Sequence, residues 1–249
     1  MKISEKHLRS LIRNIYLSEN TVYTAVDPSW NKTTATSTKN VVNFGTATSE
    51  ESSAIDRAVE LGEKLGIDPA WIYATEKKES AHNPSAMAWN LHIMVDSRWA
   101  TRAGVPGKHV TDAQKKELVK LGFHPSDFSK KSYYGSEAQE KFSKAYEVNP
   151  WAAIAGGAWG LYQVLGAFTL PLYDNDPEKW KTAFEDDPVE YSKKSLEAWI
   201  KKYGQGFKNA VNNENYDYTT RKYYGDSNTQ YENDIRSYVA EFRSRQEKK

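Results

Sequence analysis

A mainly α-helical domain over residues 49–249, preceded by a short helix and a polar arm over residues 1–48, is the fold class this sequence predicts. Three observations predict it. Apolar residues recur at helical spacing, with cap and stop signals at the segment ends. Few runs alternate with the period of two that a half-buried strand needs. At 249 residues the chain is long enough to bury a sizeable core and still carry an appendage.

The elements follow in order. MKISEKHLRSLIRNIYL sets Leu8, Leu11, Ile12, Ile15 and Tyr16 at helical spacing with basic residues on the other face, which predicts a short amphipathic helix. From about Ser18 to Ser49 the composition turns to Thr, Ser and Asn, as in a linker. Thr48-Ser-Glu-Glu51 then reads as a capping box opening a helix through Ile55, Ala58, Val59 and Leu65, which Gly66 ends. Asp68 and Pro69 supply the N-cap and first position of the next helix. Further helices are expected over 112–121, 136–146, 188–203 and 230–245. The run from Asn149 to Tyr173 has no charged residue over about the length of a membrane span. Gly156, Gly157, Gly160 and Gly166, a proline near each end and Gln163 in the middle argue instead for a buried helix beside a cleft.

Composition excludes several function classes. Lys and Arg total 34 against 33 for Asp and Glu, so no basic field marks a nucleic-acid binder. The absence of cysteine rules out a disulfide scaffold and a thiolate metal site. His7, His82, His92, His109 and His124 have no ligand spacing, and the glycines after Ala155 lack the Lys-Ser/Thr of a phosphate loop. Neither a metal nor a cofactor is expected. Eight Trp and sixteen Tyr are many for this length, and serve either as platforms for sugar rings or as core filler.

The chemistry-bearing stretch is TEKKESAHNPSA, Thr75 to Ala86, where Glu76, Lys77, Lys78 and Glu79 crowd a helix end. At 100° per residue Glu79 falls between Trp71 and Ile72, while Glu76 sits roughly 60° off that apolar stripe. A carboxyl held against apolar groups has a raised pKa and can act as a general acid. The alternative is that Glu79 ends a helix and leans into solvent. By the same geometry Glu76 is expected to be dispensable.

Glu79-Ser80-Ala-His-Asn83-Pro84-Ser-Ala86 resembles the ES-x-x-NP-x-A signature of lysozyme-like lytic transglycosylases, and Ala158-Trp-Gly-Leu-Tyr-Gln-Val-Leu-Gly166 resembles their G-A-x-G-L-x-Q stretch. The long Met87 to Gly157 separation is more similar to the N-acetylmuramidase family of phage endolysins and bacterial lytic proteins. There an F-E-R-H-like segment, matched by Trp89-Asn90-Leu91-His92, is followed by a helical insert, by S-W-G-x-F-Q-I-M-G and by Y-N-G, matched by Tyr223-Tyr224-Gly225. The likeness runs from about Ile55 to Phe242.

It implies a lysozyme-like domain with a helical insert that cleaves the glycan strand of peptidoglycan, with Glu79 as catalytic acid/base. Ser80, His92, Gln163 and Tyr223 would then orient Glu79 or bind the saccharide. Trp159 and Tyr162 would be platform or core. Asn90 stands where the family usually has an acidic residue, which leaves Asp96, Asp112, Asp217 and Asp226 as candidates for a second carboxylate. Hydrolysis is the expected outcome, a lytic transglycosylase or a non-catalytic wall-binding virion module the alternatives. The N-terminal segment resembles the basic leader of structural proteins of large tailed phages, so it is expected to bind other phage proteins. It shows no signal peptide, which predicts a virion-associated protein or delivery to the wall from the host cytoplasm.

Overall fold

The computed structural model describes residues 49–129, 131–225 and 228–247. The expected N-terminal helix, the arm and Thr48 of the capping box lie outside them. Helix α1, Ser49–Leu65, carries Glu50 and Glu51 in its first turn and Lys64 in its last, each sign complementing the helix dipole. Gly66 ends it at φ +67, a conformation open to glycine without strain. Helix α2, Pro69–Ser80, starts on the Asp68 cap, whose side chain accepts from the Ala70 amide.

Strand β1, Met87–Asn90, leads into the short helices α3, Leu91–Met94, and α4, Ser97–Arg102. Next come α5, Asp112–Lys120, with a Thr111/Gln114 capping box, strand β2, Ser132–Tyr134, and helix α6, Gly135–Val148. The charge-free run is not one helix. It divides into α7, Pro150–Ala155, strands β3, Gly157–Trp159, and β4, Val164–Leu165, helix α8, Gly166–Thr169, and a 3₁₀ turn over Leu170–Tyr173. Its glycines cause the division. Gly160 turns between the strands at φ +73, and a Cβ there would lie 2.2 Å from the Ser192 hydroxyl; one on Gly166 would lie 2.0 Å from the Ile154 carbonyl oxygen. No described helix is long and apolar enough to cross a membrane.

Helices α9, Pro177–Asp186, α10, Pro188–Asn212, α11, Tyr216–Tyr223, and α12, Thr229–Gln246, complete the fold. Four helices begin with the same device, an Asx cap followed by proline: Asp68-Pro69, Asn149-Pro150, Asp176-Pro177 and Asp187-Pro188. The cap satisfies an orphan amide and proline has none to satisfy.

The strands form one antiparallel sheet in the order β2-β1-β3-β4. Strands of two to four residues are too short to show alternation in a sequence, which is why they were not expected. Trp89, Trp151, Trp159 and Trp180 fill a core around the sheet and insert. A second core surrounds α2, with Trp71, Tyr73, Tyr162, Trp199, Phe207, Tyr231 and Phe242. α2 is therefore an axis of the fold. α1 and α12 flank it, and both Glu76 and Glu79 are buried.

Candidate active site

Glu79 lies one residue before the end of α2 and is only 5 % exposed. Burial pushes its carboxyl up to about 7, against the pull of a hydrogen bond from Tyr231 and of the Lys78 ammonium. The Tyr231 hydroxyl donates to Glu79 Oε1 at 2.5 Å. Tyr231 stands in the first turn of α12, where Asn228 caps the helix by accepting from the Tyr231 amide. Its ring packs against Tyr224, with centroids 4.9 Å apart. Lys78 is drawn aside by Asp234, at 2.6 Å, and does not neutralise Glu79 directly. A carboxyl that exchanges its proton near neutral pH at the edge of a tyrosine cluster can donate to a leaving group and then recover the proton.

Tyr223, expected as an orienting residue, reaches the same place from the end of α11. Its hydroxyl donates to the Tyr162 carbonyl oxygen, its ring meets Trp71 and Trp199 edge-on, and the Glu79 charge adds to the burial that raises its own pKa. Gln163 is half-buried at φ +47, and its amide donates to the carbonyls of Ala86 at 3.0 Å and Gly160 at 2.9 Å. It pins the turn after α2 to the β3–β4 turn.

Ser80, expected to orient Glu79 or the saccharide, is interior, and Trp159 and Tyr162, expected as platform or core, are core. Ser80 is 1 % exposed and its hydroxyl donates to the Glu76 carbonyl oxygen one helical turn back. Trp159 donates to the Ile154 carbonyl oxygen and is boxed by Phe142, Trp180 and Phe184, so it is core and not platform. Tyr162 is fully buried, with its hydroxyl donated to Glu76 Oε2 at 3.1 Å. His92 lies on α3 with Nδ1 3.4 Å from the Lys131 carbonyl oxygen, and burial lowers its pKa.

Glu76 is the main correction to the helical-wheel argument. It is fully buried, 2.5 Å from Arg57 Nη2 and 2.9 Å from His82 Nδ1. Burial alone would raise its pKa, but the bonds from His82 and Arg57 outweigh it and hold the carboxyl below its usual range. The reason is packing: α2 is covered on both sides, so a residue 60° off one apolar stripe meets another element instead of water. Just beyond, Ala81 and His82 both take left-handed backbone, at φ +51 and +67. Non-glycine residues there cost about 1–3 kcal/mol each and persist only when their surroundings hold them. The His82–Glu76 bond is one such constraint.

Among the described residues, neither Asn90 nor Asp96, Asp112 or Asp217 forms a pair with Glu79. Asn90 ends β1, 6 % exposed, its Oδ1 accepting from the Ser132 hydroxyl at 2.7 Å. Asp96 caps α4 and holds Arg98 at 2.6 Å; the Asp112 side chain is 93 % exposed beside Lys115; Asp217 pairs with Arg221. Asp226 lies outside the described residues.

The sequence reading missed Tyr231 and Arg57. Both carried a signal: Tyr231 leads the stripe Tyr231, Ile235, Val239, Phe242, and Arg57 interrupts the stripe Ala54, Ala58, Leu61.

A family model for N-acetylmuramidase matches residues 69–243, from the first residue of α2 into α12. The chain belongs to the N-acetylmuramidase family. This muramidase is thus a glycoside hydrolase of the lysozyme type whose substrate is peptidoglycan. Its fold is similar to the crystal structure of the Burkholderia AP3 phage endolysin, with a TM-score of 0.55 at 15 % identity over 93 % of this chain and 85 % of that one. No curated protein matched the sequence.

Proposed function

We propose that Glu79 is the general acid/base with which this muramidase hydrolyses the β-1,4 bond between N-acetylmuramic acid and N-acetylglucosamine. One observation carries the assignment: a carboxyl 5 % exposed, titrating at about 7 and held by the Tyr231 hydroxyl. Protonated Glu79 gives its proton to the glycosidic oxygen as the bond to C1 breaks, and the sugar passes through an oxocarbenium-like state. The ionised carboxylate then takes a proton from the water whose oxygen bonds to C1. Each turnover returns Glu79 to its starting form. Residues 1–48 serve delivery or assembly, as part of a virion or a lytic enzyme of a phage, and take no part in the chemistry.

Digestion of purified peptidoglycan, with the soluble muropeptides weighed, tests both chemistry and residue. Reducible ends with one added water are expected from the wild type, and at least about a hundredfold less product from Glu79→Gln. Full activity in the variant would refute the assignment. A product lighter by one water and resistant to borohydride would replace hydrolysis by attack of the sugar's own 6-hydroxyl. That second route draws support from Asn90, a neutral side chain at the position where the resemblance implies an acidic one.

A further inference from the structure

The hydrogen bonds around Glu76 reach Tyr162, and through the backbone carbonyl of that residue the Tyr223 hydroxyl. Glu76 Oε1 accepts from Arg57 Nη2 at 2.5 Å and faces His82 Nδ1 at 2.9 Å; Oε2 accepts from Arg57 Nε at 3.4 Å and from the Tyr162 hydroxyl at 3.1 Å. The Tyr162 carbonyl oxygen in turn accepts from the Tyr223 hydroxyl. An ionised carboxylate in a dry core with four bonds to its two oxygens is an expensive way to hold helices together, since well-packed apolar residues of similar volume generally do so as well or better. What it provides is direction. One buried charge fixes α1 through Arg57, the left-handed turn after Glu79 through His82, and the β3–β4 turn through Tyr162.

We infer that Glu76 is a positioning residue for catalysis: it orients Tyr162, whose carbonyl holds the Tyr223 hydroxyl at the end of α11, next to the Tyr224 whose ring packs on the Tyr231 that bonds Glu79. The inference rests on Glu79 being the acid/base. Glu76 touches neither substrate nor the reacting atoms and acts only through this relay. Tyr223 belongs to the site at one end of the relay, with its ring held between Trp71 and Trp199, so the remaining freedom of its hydroxyl is set by the Tyr162 carbonyl. A change at Glu76 should therefore lower kcat with little effect on KM, because the relay ends among the tyrosines that hold the acid/base, where a loss is felt in the proton transfer.

A double-mutant cycle tests the relay. Glu76→Gln, Tyr223→Phe and the double variant are compared for kcat and KM on solubilised glycan fragments, with a cooperative thermal transition confirming each is folded. Each single change is expected to lower kcat about tenfold, the rate equivalent of one hydrogen bond, with KM within about twofold. The double variant is expected to be no slower than the slower single. Losses that multiply would mean Glu76 supports the fold without acting through Tyr223, and would overturn the inference while leaving Glu79 intact. Activity surviving in Glu79→Gln would instead remove the reading beneath it. If Glu76→Gln does not fold, Tyr162→Phe takes its place, because it leaves the Arg57–Glu76–His82 cluster whole; additivity with Tyr223→Phe is again the refuting result.

Discussion

Replacing Glu79 by Gln should make the protein more stable as it destroys activity, and the size of the gain should depend on pH in a calculable way. The free carboxyl titrates at 4.5 and the buried one at about 7. The folded state therefore holds the proton more tightly than the unfolded chain. Below pH 4.5 both states are protonated and the favourable contribution is complete; between 4.5 and 7 it is progressively lost; above 7 the folded protein carries a desolvated charge. At 1.36 kcal/mol for each tenfold, the loss is about 3 kcal/mol. Gln has the same shape, still accepts from Tyr231 and never ionises. Glu79→Gln should thus match the wild type near pH 4.5, apart from a constant offset, and exceed it by about 3 kcal/mol near pH 8.5. For a domain of this size that is a melting-temperature difference of about 6–12 °C. Thermal denaturation of both proteins from pH 4.5 to 8.5 measures it. Glu76 titrates in both and cancels in the difference. Parallel stability curves would refute the argument, because a carboxyl with an ordinary pKa contributes no such slope.

Removing the Tyr231 hydroxyl should act on the same group in the other direction. The bond it donates lowers the Glu79 pKa, so in Tyr231→Phe the pKa rises above about 7 and the alkaline limb of the pH–kcat/KM profile moves to higher pH; an unmoved limb would count against Tyr231. Glu76→Gln should destabilise by about 3 kcal/mol near neutral pH, since it leaves the Arg57 guanidinium without its buried counter-charge. Because the folded-state pKa of Glu76 is lowered, its contribution is present above pH 4.5 and disappears as the pH falls through the folded value, so chemical denaturation should show the wild-type advantage shrinking in acid. Deletion of residues 1–48 should leave a cooperative unfolding transition and normal digestion of isolated walls; loss of the transition would show that the arm packs into the domain.

How far the sequence carried the structure differs between the helices and the site. Helix ends were legible where caps announce them: Asp68-Pro69, Thr111 and Pro188 open helices where expected, and Gly66 closes one. The expected helix over 188–203 ends where the backbone breaks at Gly204, φ +68 and ψ −159, and a second helical stretch then runs to Asn212. The strands were not legible, because two to four residues carry no period. The charge-free run was read as buried, which it is, and as a helix, which its glycines forbid.

At the site, burial of Glu79 was legible and that of Glu76 was not. A helical wheel ranks faces only when one side of the helix is wet. α2 is packed on both sides, and nothing within it distinguishes the two carboxylates: they lie three residues apart on the same helix, flanked by the same lysines. What separates them is partners distant in sequence. Arg57 and His82 bond to Glu76 and hold its pKa down; among the described residues Glu79 receives the Tyr231 hydroxyl and feels the Lys78 charge, and desolvation wins. One stretch of helix thus holds a fixed charge and an exchangeable proton. The first anchors the turn that follows the second, through the His82 bond to Glu76, so near neutral pH the geometry around the exchangeable proton depends on the charge one helical turn before it.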